Sequence, residues 1–360
     1  MARFRTRKDN AVPSNRALTS WFGVLIVLIV LGMNYQVALH LERAETMEGK
    51  RRMEADNSMA YSYELLTKNT TTALDHRKHK QPRLYLPIPP RQPGVVKGIV
   101  KKGDYVYYND KHSRWDAAPI VLESHQLLFF TIPKVGCTVW KQLFRRMMGY
   151  EDWSSQDNSL PHHPAFNGLK YLYHYSLEEA SEMMTSPEWT RAIMVRDPKL
   201  RFLSSFLDKS VSNDHKHIIQ RCCPDKSCVD GAQTIPGFLR LVQLCDDAHW
   251  RRQHERIDFK YWPYMDFVLH VESASQDARK LLEKIGAWEQ YGKTGWGKDG
   301  NLPIFGSTEV SGAGTHATWS QWKVWQWYTN ESEKLVERHY QPDYMNPLFG
   351  FDRDTCFTCV

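Results

Sequence analysis

The sequence lacks a strong excess of charge of either sign. Its 360 residues include 47 Lys and Arg against 41 Asp and Glu, and the net charge at pH 7 is +6. This mild excess tolerates acidic partners but is not the composition of a strongly basic surface, and we expect no nucleic-acid partner. No internal repeat is evident, and the length allows one large domain or two ordinary ones.

Charged side chains are also missing from residues 17–39. That length reaches the roughly 20 residues that a bilayer span needs, whereas the apolar region of a signal peptide is typically about 7 to 15 residues. Basic residues precede the segment, so we predict a cytosolic tail at 1–16, a transmembrane signal anchor at 17–39 and a lumenal remainder. A cleaved signal peptide is the alternative, although Gly32 and Ala38 are poor cleavage positions.

Residues 40–94 have too few apolar side chains to bury a core. They are charged, polar and rich in proline, which predicts a stem that holds a globular domain at 95–360 away from the membrane. Glycosylation sequons at Asn69 and Asn330 fit a lumenal chain, although sequons also arise by chance.

The first chemical motif is a junction between a strand and a helix. An apolar run at 127–132 predicts a strand, which Pro133 and Gly136 end. Helical spacing of apolar residues begins at Thr138. Such a junction aims backbone N–H groups and the positive end of the helix dipole at one point, where a phosphate or sulfate can bind. Lys134 adds an ammonium, although a surface turn with an incidental lysine is the alternative.

A second junction of the same kind follows downstream. The run at 192–195 predicts a buried strand, and Pro198 suits the first turn of a helix. Arg196 therefore lies at the carboxyl end of a strand, with Ser204 two turns into the helix. A guanidinium can bind a phosphate through two hydrogen bonds while a hydroxyl donates a third. For this motif alone, a helix-capping Asp beside a surface Arg is the alternative.

The first loop lacks the lysine that a nucleotide P-loop places directly before its Ser or Thr, which argues against an ATPase or kinase. It resembles instead the 5′-phosphosulfate loop of the membrane-bound Golgi carbohydrate sulfotransferases, sulfotransferase family 2 of the HNK-1, GalNAc-4-O and dermatan type. The second motif matches that family's 3′-phosphate site, R-D-P-x-x-R-x-x-S. The resemblance assigns these residues to nucleotide binding: Pro133, Lys134, Val135, Gly136, Cys137, Thr138, Arg196, Arg201 and Ser204.

The resemblance implies a fold, a reaction and a location. The fold is α/β, a three-layer P-loop-NTPase-like domain with a mainly parallel central sheet. The reaction is transfer of a sulfuryl group from PAPS, released as PAP, to a hydroxyl of a glycan on a glycoprotein or proteoglycan, and it requires no metal. The protein is then a single-pass type II Golgi membrane protein with a lumenal catalytic domain, and a homodimer is left open.

Two catalytic side chains follow from this interpretation. Lys134 is expected to neutralise charge on the leaving oxygen, and a histidine suits the base because its unperturbed pKa lies near neutrality. His174 is the first candidate, since it precedes the second phosphate strand at a distance similar to that of the base in the related heparan 2-O-sulfotransferase. A structural histidine between two tyrosines is the alternative, and His249 and His163 are the reserves.

One segment departs from the family pattern. His249-Trp250 and Gln253 resemble the family segment H-W-x-P-Q, but Arg252 stands at the Pro position and the paired cysteines that usually follow are missing. This segment therefore does not assign the chain to a particular subfamily. The match of residues 264–272 to the family's Y-D-F-x-x-x-x-E pattern is also loose.

Periodicity and capping residues predict further elements. They are a helix after Ser176, a helix over 237–253, a strand over 264–272, a helix over 275–285 that stops at Gly286, and a last helix capped by Asn330. Trp319, Trp322 and Trp325 recur at helical spacing, which predicts core packing rather than a sugar-stacking surface. By resemblance, residues 315–318 are expected to contact the nucleotide.

The seven cysteines and one acidic motif leave alternatives. Cys137 is predicted to fill space in the loop, and the others are expected to form disulfides in an oxidising lumen, with a zinc site from the four at 222–245 as the alternative. Asp352-Arg353-Asp354 fits the manganese-binding D-x-D of a Golgi glycosyltransferase, but it lies beyond the last predicted helix. A tethered glycan-binding protein without catalysis is the non-enzymatic alternative.

Overall fold

A computed structural model describes residues 88–108, 117–155, 160–212, 221–306 and 318–358. They belong to one compact unit, Leu84–Val360, and the predicted tail, anchor and most of the stem lie outside the described residues. Among the residues in these five ranges, no helix is both long and apolar enough to cross a bilayer.

A four-stranded mixed sheet lies at the centre, in the order β1-β2-β3-β4. Strand β1 (Ile120–Leu122) pairs antiparallel with β2 (Leu127–Phe130). Strands β2, β3 (Thr190–Val195) and β4 (Phe267–His270) are parallel. Every residue of β2 and β3 is buried, as expected where helices cover both faces of parallel strands. The predicted α/β fold is confirmed, with one antiparallel edge strand.

The helices follow in chain order. Those in the described ranges are α1 Cys137–Met147, α2 Leu177–Thr185, α3 Pro198–Phe206, α4 Lys226–Gly231, α5 Ile235–Leu244, α6 Ala274–Lys284, α7 Val324–Trp327, α8 Asn330–His339 and α9 Gln341–Tyr344. Helix α3 runs directly into a single π-helical turn, Leu207–Val211.

Two hydrophobic cores stabilise this unit. The first joins the sheet to α1, α2 and α6, and Trp140 packs there with its ring centroid 4.5 Å from that of Phe129. The second joins α3, α5 and α8, where Phe238 contacts both Phe202 and Trp250. Each side chain of this size contributes about 1.5–3 kcal/mol when fully buried. The first core fixes β2 and α1, and the second fixes α3.

Most predicted elements are confirmed at their capping residues. Ser176 and Glu179 form a capping box at the start of α2, and Gly286 follows α6 with a φ of 71°. The helix predicted over 237–253 is wrong, because it ends at Leu244, where Cys245 becomes extended. The cap of α8 is Thr329 and not Asn330, since the Thr329 hydroxyl accepts from the Ser332 N–H at 3.1 Å.

The prediction that the tryptophan row is core is wrong. Trp319, Trp322 and Trp325 are 38%, 67% and 75% exposed. The buried side of this segment is formed by the neighbouring positions Ser320, Val324 and Tyr328, which recur every four residues. The helical period was therefore correct, but the row of indoles faces solvent.

Disulfides account for the cysteines at 222–245. Cys222 pairs with Cys245 and Cys223 pairs with Cys228, while Cys137 has a free thiol. Disulfide sulfurs are not zinc ligands, so the alternative zinc site is ruled out for these four residues. In the oxidising lumen proposed for this chain, both bonds restrict the unfolded chain and so stabilise the unit.

Candidate functional site

The two predicted motifs meet at one edge of the sheet. Strands β2 and β3 are parallel neighbours with Phe130 opposite Ile193, so the segments that leave their carboxyl ends lie side by side. Arg196, which follows β3, donates from Nη1 to the main-chain oxygen of Lys134, which follows β2, at 3.3 Å. Ligands of open α/β sheets bind at this edge.

The loop between β2 and α1 has the geometry of an anion site. Lys134 and Gly136 both adopt left-handed conformations, with φ of 72° and 80°. Gly136 is the N-cap of α1 and provides no side-chain cap for the first-turn N–H groups. A Cβ at Gly136 would also lie 3.3 Å from the ring of Phe305. Glycine is thus favoured there, and the loop N–H groups suit a phosphate or sulfate.

Lys134 pairs with an acidic residue that the sequence analysis missed. Its Nζ lies 3.0 Å from Asp208 Oδ2, and Lys209 Nζ lies 3.1 Å from the same oxygen. Burial lowers the pKa of Lys134, and Asp208 acts against that effect. Burial alone would raise the pKa of Asp208, but the two ammonium groups outweigh it and hold that pKa well below its usual range. Asp208 lies one helical turn after Ser204, and this spacing was the signal in the sequence that could have identified it.

Arg196 is held in place from several sides. Its Nη2 donates to Ser320 Oγ at 2.8 Å, and its side chain is buried. The Gln253 amide accepts from the Arg196 N–H at 2.9 Å and donates to its carbonyl at 2.8 Å. Arg196 Nε is buried and has no hydrogen-bond partner among the described residues. A buried donor of this kind fits an anionic ligand.

Ser204 and Arg201 occupy different environments. Ser204 Oγ lies 2.9 Å from Thr318 Oγ1. Thr318 is the last residue of the segment expected to contact the nucleotide, and residues 315–317 lie outside the described residues. The Arg201 guanidinium donates to the carbonyls of Pro133, Arg251 and Ala248 at 2.8–3.0 Å. These bonds tie the loop to residues 248–251. Arg201 thus supports the loop, and its contact with a phosphate stays a prediction.

Sequence comparison identifies the family. The sequence matches the description "Sulfotransferase family" over residues 119–352, more than half of the chain. The chain belongs to the sulfotransferase family. This match covers both junctions, so the resemblance inferred from the two motifs is confirmed at the level of the family.

Similar curated proteins carry related names. Carbohydrate sulfotransferase 9 of Homo sapiens is 28% identical over 210 residues, which cover 52% of this chain and 45% of that protein. Carbohydrate sulfotransferase 10 of Xenopus laevis is 33% identical over 193 residues, which cover 46% of this chain and 52% of that protein. The chain thus spans about half the length of these relatives. No solved structure matches it.

Thr138 lies next to a histidine, His162, that was not among the predicted candidates for the base. His162 Nε2 is 2.9 Å from Thr138 Oγ1, and His162 Nδ1 is 3.4 Å from Lys141 Nζ. Because an ammonium donates, Nδ1 accepts and the ring proton lies on Nε2, where it is donated to Thr138. The Thr138 hydroxyl can then donate its own hydrogen. His163, a reserve candidate for the base, is exposed and its ring packs on Phe166.

His174 ends the 3-10 turn Leu172–His174, next to the sheet. The turn follows Tyr171, which forms an isolated bridge with Ile120 of β1. His174 Nδ1 accepts from the Tyr171 N–H at 3.0 Å, and burial lowers the pKa of His174. A neutral ring whose Nδ1 accepts carries its proton on Nε2. In this arrangement its only lone pair is occupied.

His249 has the opposite tautomer. Its Nδ1 lies 2.6 Å from Asp247 Oδ1, and Asp247 is buried. A carboxylate accepts, so Nδ1 carries the proton and Nε2 carries the lone pair, as in histidine bases oriented by an aspartate. The neighbouring Ala248 carbonyl is bound by Arg201, which also binds the loop.

The D-x-D motif forms a local turn. Asp352 accepts from the Asp354 N–H at 2.9 Å and from the Thr355 hydroxyl at 3.1 Å. Within the described ranges, no three His, Cys, Asp or Glu side chains are grouped to hold a metal ion. The motif therefore has the contacts of a chain turn near the C-terminus.

Proposed function

We propose that this chain transfers a sulfuryl group from PAPS to a hydroxyl of a glycan. The observation that carries the proposal is the contact of Arg196 with the Lys134 carbonyl, because it joins the two predicted phosphate motifs into one site. The names of the similar proteins support a carbohydrate acceptor. Location in the Golgi membrane, through an anchor at 17–39, is proposed on the same resemblance.

The residues at this site fit the nucleotide. Loop N–H groups at 136–138 and the Thr138 hydroxyl would hold the 5′ side, and Arg196 with Ser204 would hold the 3′-phosphate. The buried Arg196 Nε, which lacks a partner in the described part of the chain, supports this assignment. We assign Arg201 to positioning the loop, since its guanidinium binds three carbonyls.

Lys134 supplies the electrostatic stabilisation in the proposed reaction. The bond between sulfur and the bridging oxygen of PAPS breaks, a bond between sulfur and the acceptor oxygen forms, and the hydroxyl proton passes to a base. Negative charge grows on the leaving oxygen, where an ammonium in a water-poor site is most effective. The products are PAP and the sulfate ester.

Two histidines are proposed for the base. His174 was favoured by the sequence, and the tautomer favours His249. The base must be neutral, so its replacement by alanine should remove the acidic limb of the kcat profile against pH. Profiles of kcat against pH for His174→Ala and His249→Ala decide between them, because substitution of the residue that is not the base leaves the acidic limb in place.

The exposed tryptophan row is the proposed acceptor contact. Trp319 adjoins Ser320, which binds Arg196, and Thr318, which binds Ser204. Indoles exposed beside a nucleotide site suit the apolar faces of sugar rings. An acceptor contact thus takes the place of the core packing that we predicted for these tryptophans.

Radiolabelled PAPS, offered with a panel of glycans in the presence and absence of EDTA, tests the proposed function. Transfer of label to a glycan that survives EDTA is the expected result, because the proposed groups are protein cations and N–H donors. Activity that is lost on chelation and restored by manganese would favour the glycosyltransferase. PAP binding without turnover would favour the glycan-binding alternative.

A further inference from the structure

Asp208 contacts the lysine that we propose as the catalytic cation. Its Oδ2 lies between Lys134 Nζ at 3.0 Å and Lys209 Nζ at 3.1 Å. The Lys134 and Asp208 side chains are only 9% and 16% exposed. A carboxylate next to a site for an anionic nucleotide repels the ligand, and burial strengthens that repulsion. A carboxylate at this position therefore weakens nucleotide binding, unless its effect on the Lys134 ammonium compensates.

The position of Asp208 in the fold is also specific. It lies in the π-helical turn Leu207–Val211, one turn after Ser204 of the second motif. Single π turns within helices are frequent at functional sites. The turn brings both Asp208 and Lys209 to the first motif. The charged side chains of Lys134, Asp208 and Lys209 therefore link the first motif to the second.

The charges around Lys134 define what Asp208 does. A buried ammonium without a counter-ion is strongly unfavourable. Burial lowers the pKa of Lys134, Asp208 raises it, Lys209 lowers it and Cys137 raises it. Arg196 adds a further positive charge at the Lys134 carbonyl. Asp208 is thus the main group that keeps Lys134 protonated before an anionic ligand binds.

We propose that Asp208 is a positioning residue that holds the Lys134 ammonium in place and yields it to the leaving oxygen when the nucleotide binds. Lys209 remains as the partner of Asp208 after this exchange. The inference rests on the proposed function, because it requires the 5′ side of the nucleotide next to Lys134. It also explains why one carboxylate oxygen contacts two lysines.

Asp208→Asn tests the proposal through two readouts. PAP should bind roughly tenfold more tightly at pH 6.5, because a repelling charge a few Å from the anion is removed. The alkaline limb of kcat/KM for PAPS, which reports the free enzyme, should move down by about one pH unit, because Lys134 loses the group that raises its pKa before the nucleotide binds. Asp208→Ser should give the same result, and Asp208→Glu should restore the wild-type behaviour.

Asp277→Asn is the matched control. Asp277 is 17% exposed and pairs with Lys280 at 3.4 Å on helix α6, and its substitution should leave PAP affinity and the alkaline limb unchanged. Weaker or unchanged PAP binding in Asp208→Asn, or an unmoved alkaline limb, would overturn the inference alone. A wild-type chain that does not bind PAP would overturn the proposed function and this inference together.

Discussion

Three residues in uncommon backbone conformations lie around Arg196 and the loop. Lys134, Phe305 and Trp319 have φ of 72°, 57° and 52°, although none is glycine. Such conformations cost on the order of 1–3 kcal/mol each and persist only where the surroundings impose them. Arg196 lies beside two of them, since it binds the Lys134 carbonyl and the Ser320 hydroxyl next to Trp319. Local strain is thus concentrated at the proposed nucleotide site.

Arg196→Ala should weaken PAP binding by about 1.5–3 kcal/mol, the value of a hydrogen bond to a charged group. Turnover should fall with affinity, because the contact exists in the ground state and the transition state alike. Isothermal titration with PAP measures the effect. The comparison variant is Arg201→Lys, which should lower the melting temperature and affect PAP binding less, since Arg201 binds carbonyls. Equal losses of affinity would show that Arg201 contacts the nucleotide as well.

At the scale of elements, helix α3 begins at a buried carboxylate. Asp197 Oδ1 accepts from the N–H groups of Lys199 and Leu200 at 2.9 and 3.0 Å, so it caps the helix that carries Ser204. Burial raises the pKa of Asp197 to about 6, and the nearby Glu272 adds to this. The capping Asp considered as an alternative for this motif is therefore present together with the buried Arg196.

The raised pKa of Asp197 predicts a pH-dependent stability. The folded state binds more protons than the unfolded state between about pH 4 and 6, so this carboxyl's contribution to stability falls as pH rises through that window. Relative to Asp197→Asn, which keeps the capping oxygen, the wild type should gain about 1 kcal/mol of unfolding free energy from pH 7.5 to pH 5. Denaturant titrations at the two pH values measure the difference. A constant difference would show that Asp197 has an ordinary pKa when folded.

The exposed indoles belong to the short helical turns before α8. Trp322→Ala should raise KM for the glycan acceptor about fivefold, since an aromatic contact is worth about 1 kcal/mol. PAP affinity should not change, because the residue lies outside the nucleotide contacts. Phe259→Ala is the control, as Phe259 is 45% exposed and lies in the 3-10 helix Phe259–Tyr264, outside the contacts described for the site. Similar effects of both substitutions on KM would contradict an acceptor role for Trp322.

Local sequence patterns predicted the secondary-structure elements better than they predicted the side-chain partners at the site. Both junctions were predictable because strand periodicity, a turn glycine and an N-terminal proline act within a few residues. Ser320 and Gln253 were not predicted as partners, since tertiary packing brings them to the site from distant positions. Asp208 was missed although it lies one helical turn after Ser204, because its contact with Lys134 depends on how the two motifs pack. The tryptophan row was misassigned because periodicity shows which residues share a face of a helix, and not whether that face points to the core or to solvent. Here the Ser320 contact with Arg196 decided which side is buried.

At the scale of the whole molecule, the site joins the two cores. Lys134 follows β2 of the sheet core, and Ser204 lies on α3 of the helical core. The Arg196 and Arg201 side chains cross between them to the carbonyls of Lys134 and Pro133. Nucleotide binding at this junction should therefore stabilise the unit as a whole, in proportion to its affinity.

Turnover of Lys134→Ala, measured beside its PAP affinity, tests the central claim most directly. If Lys134 stabilises charge that grows on the leaving oxygen, kcat for sulfuryl transfer from PAPS to a glycan should fall roughly 100-fold or more, while PAP still binds within about tenfold of the wild type. Normal turnover in Lys134→Ala would contradict both the assignment of the loop and the mechanism built on it.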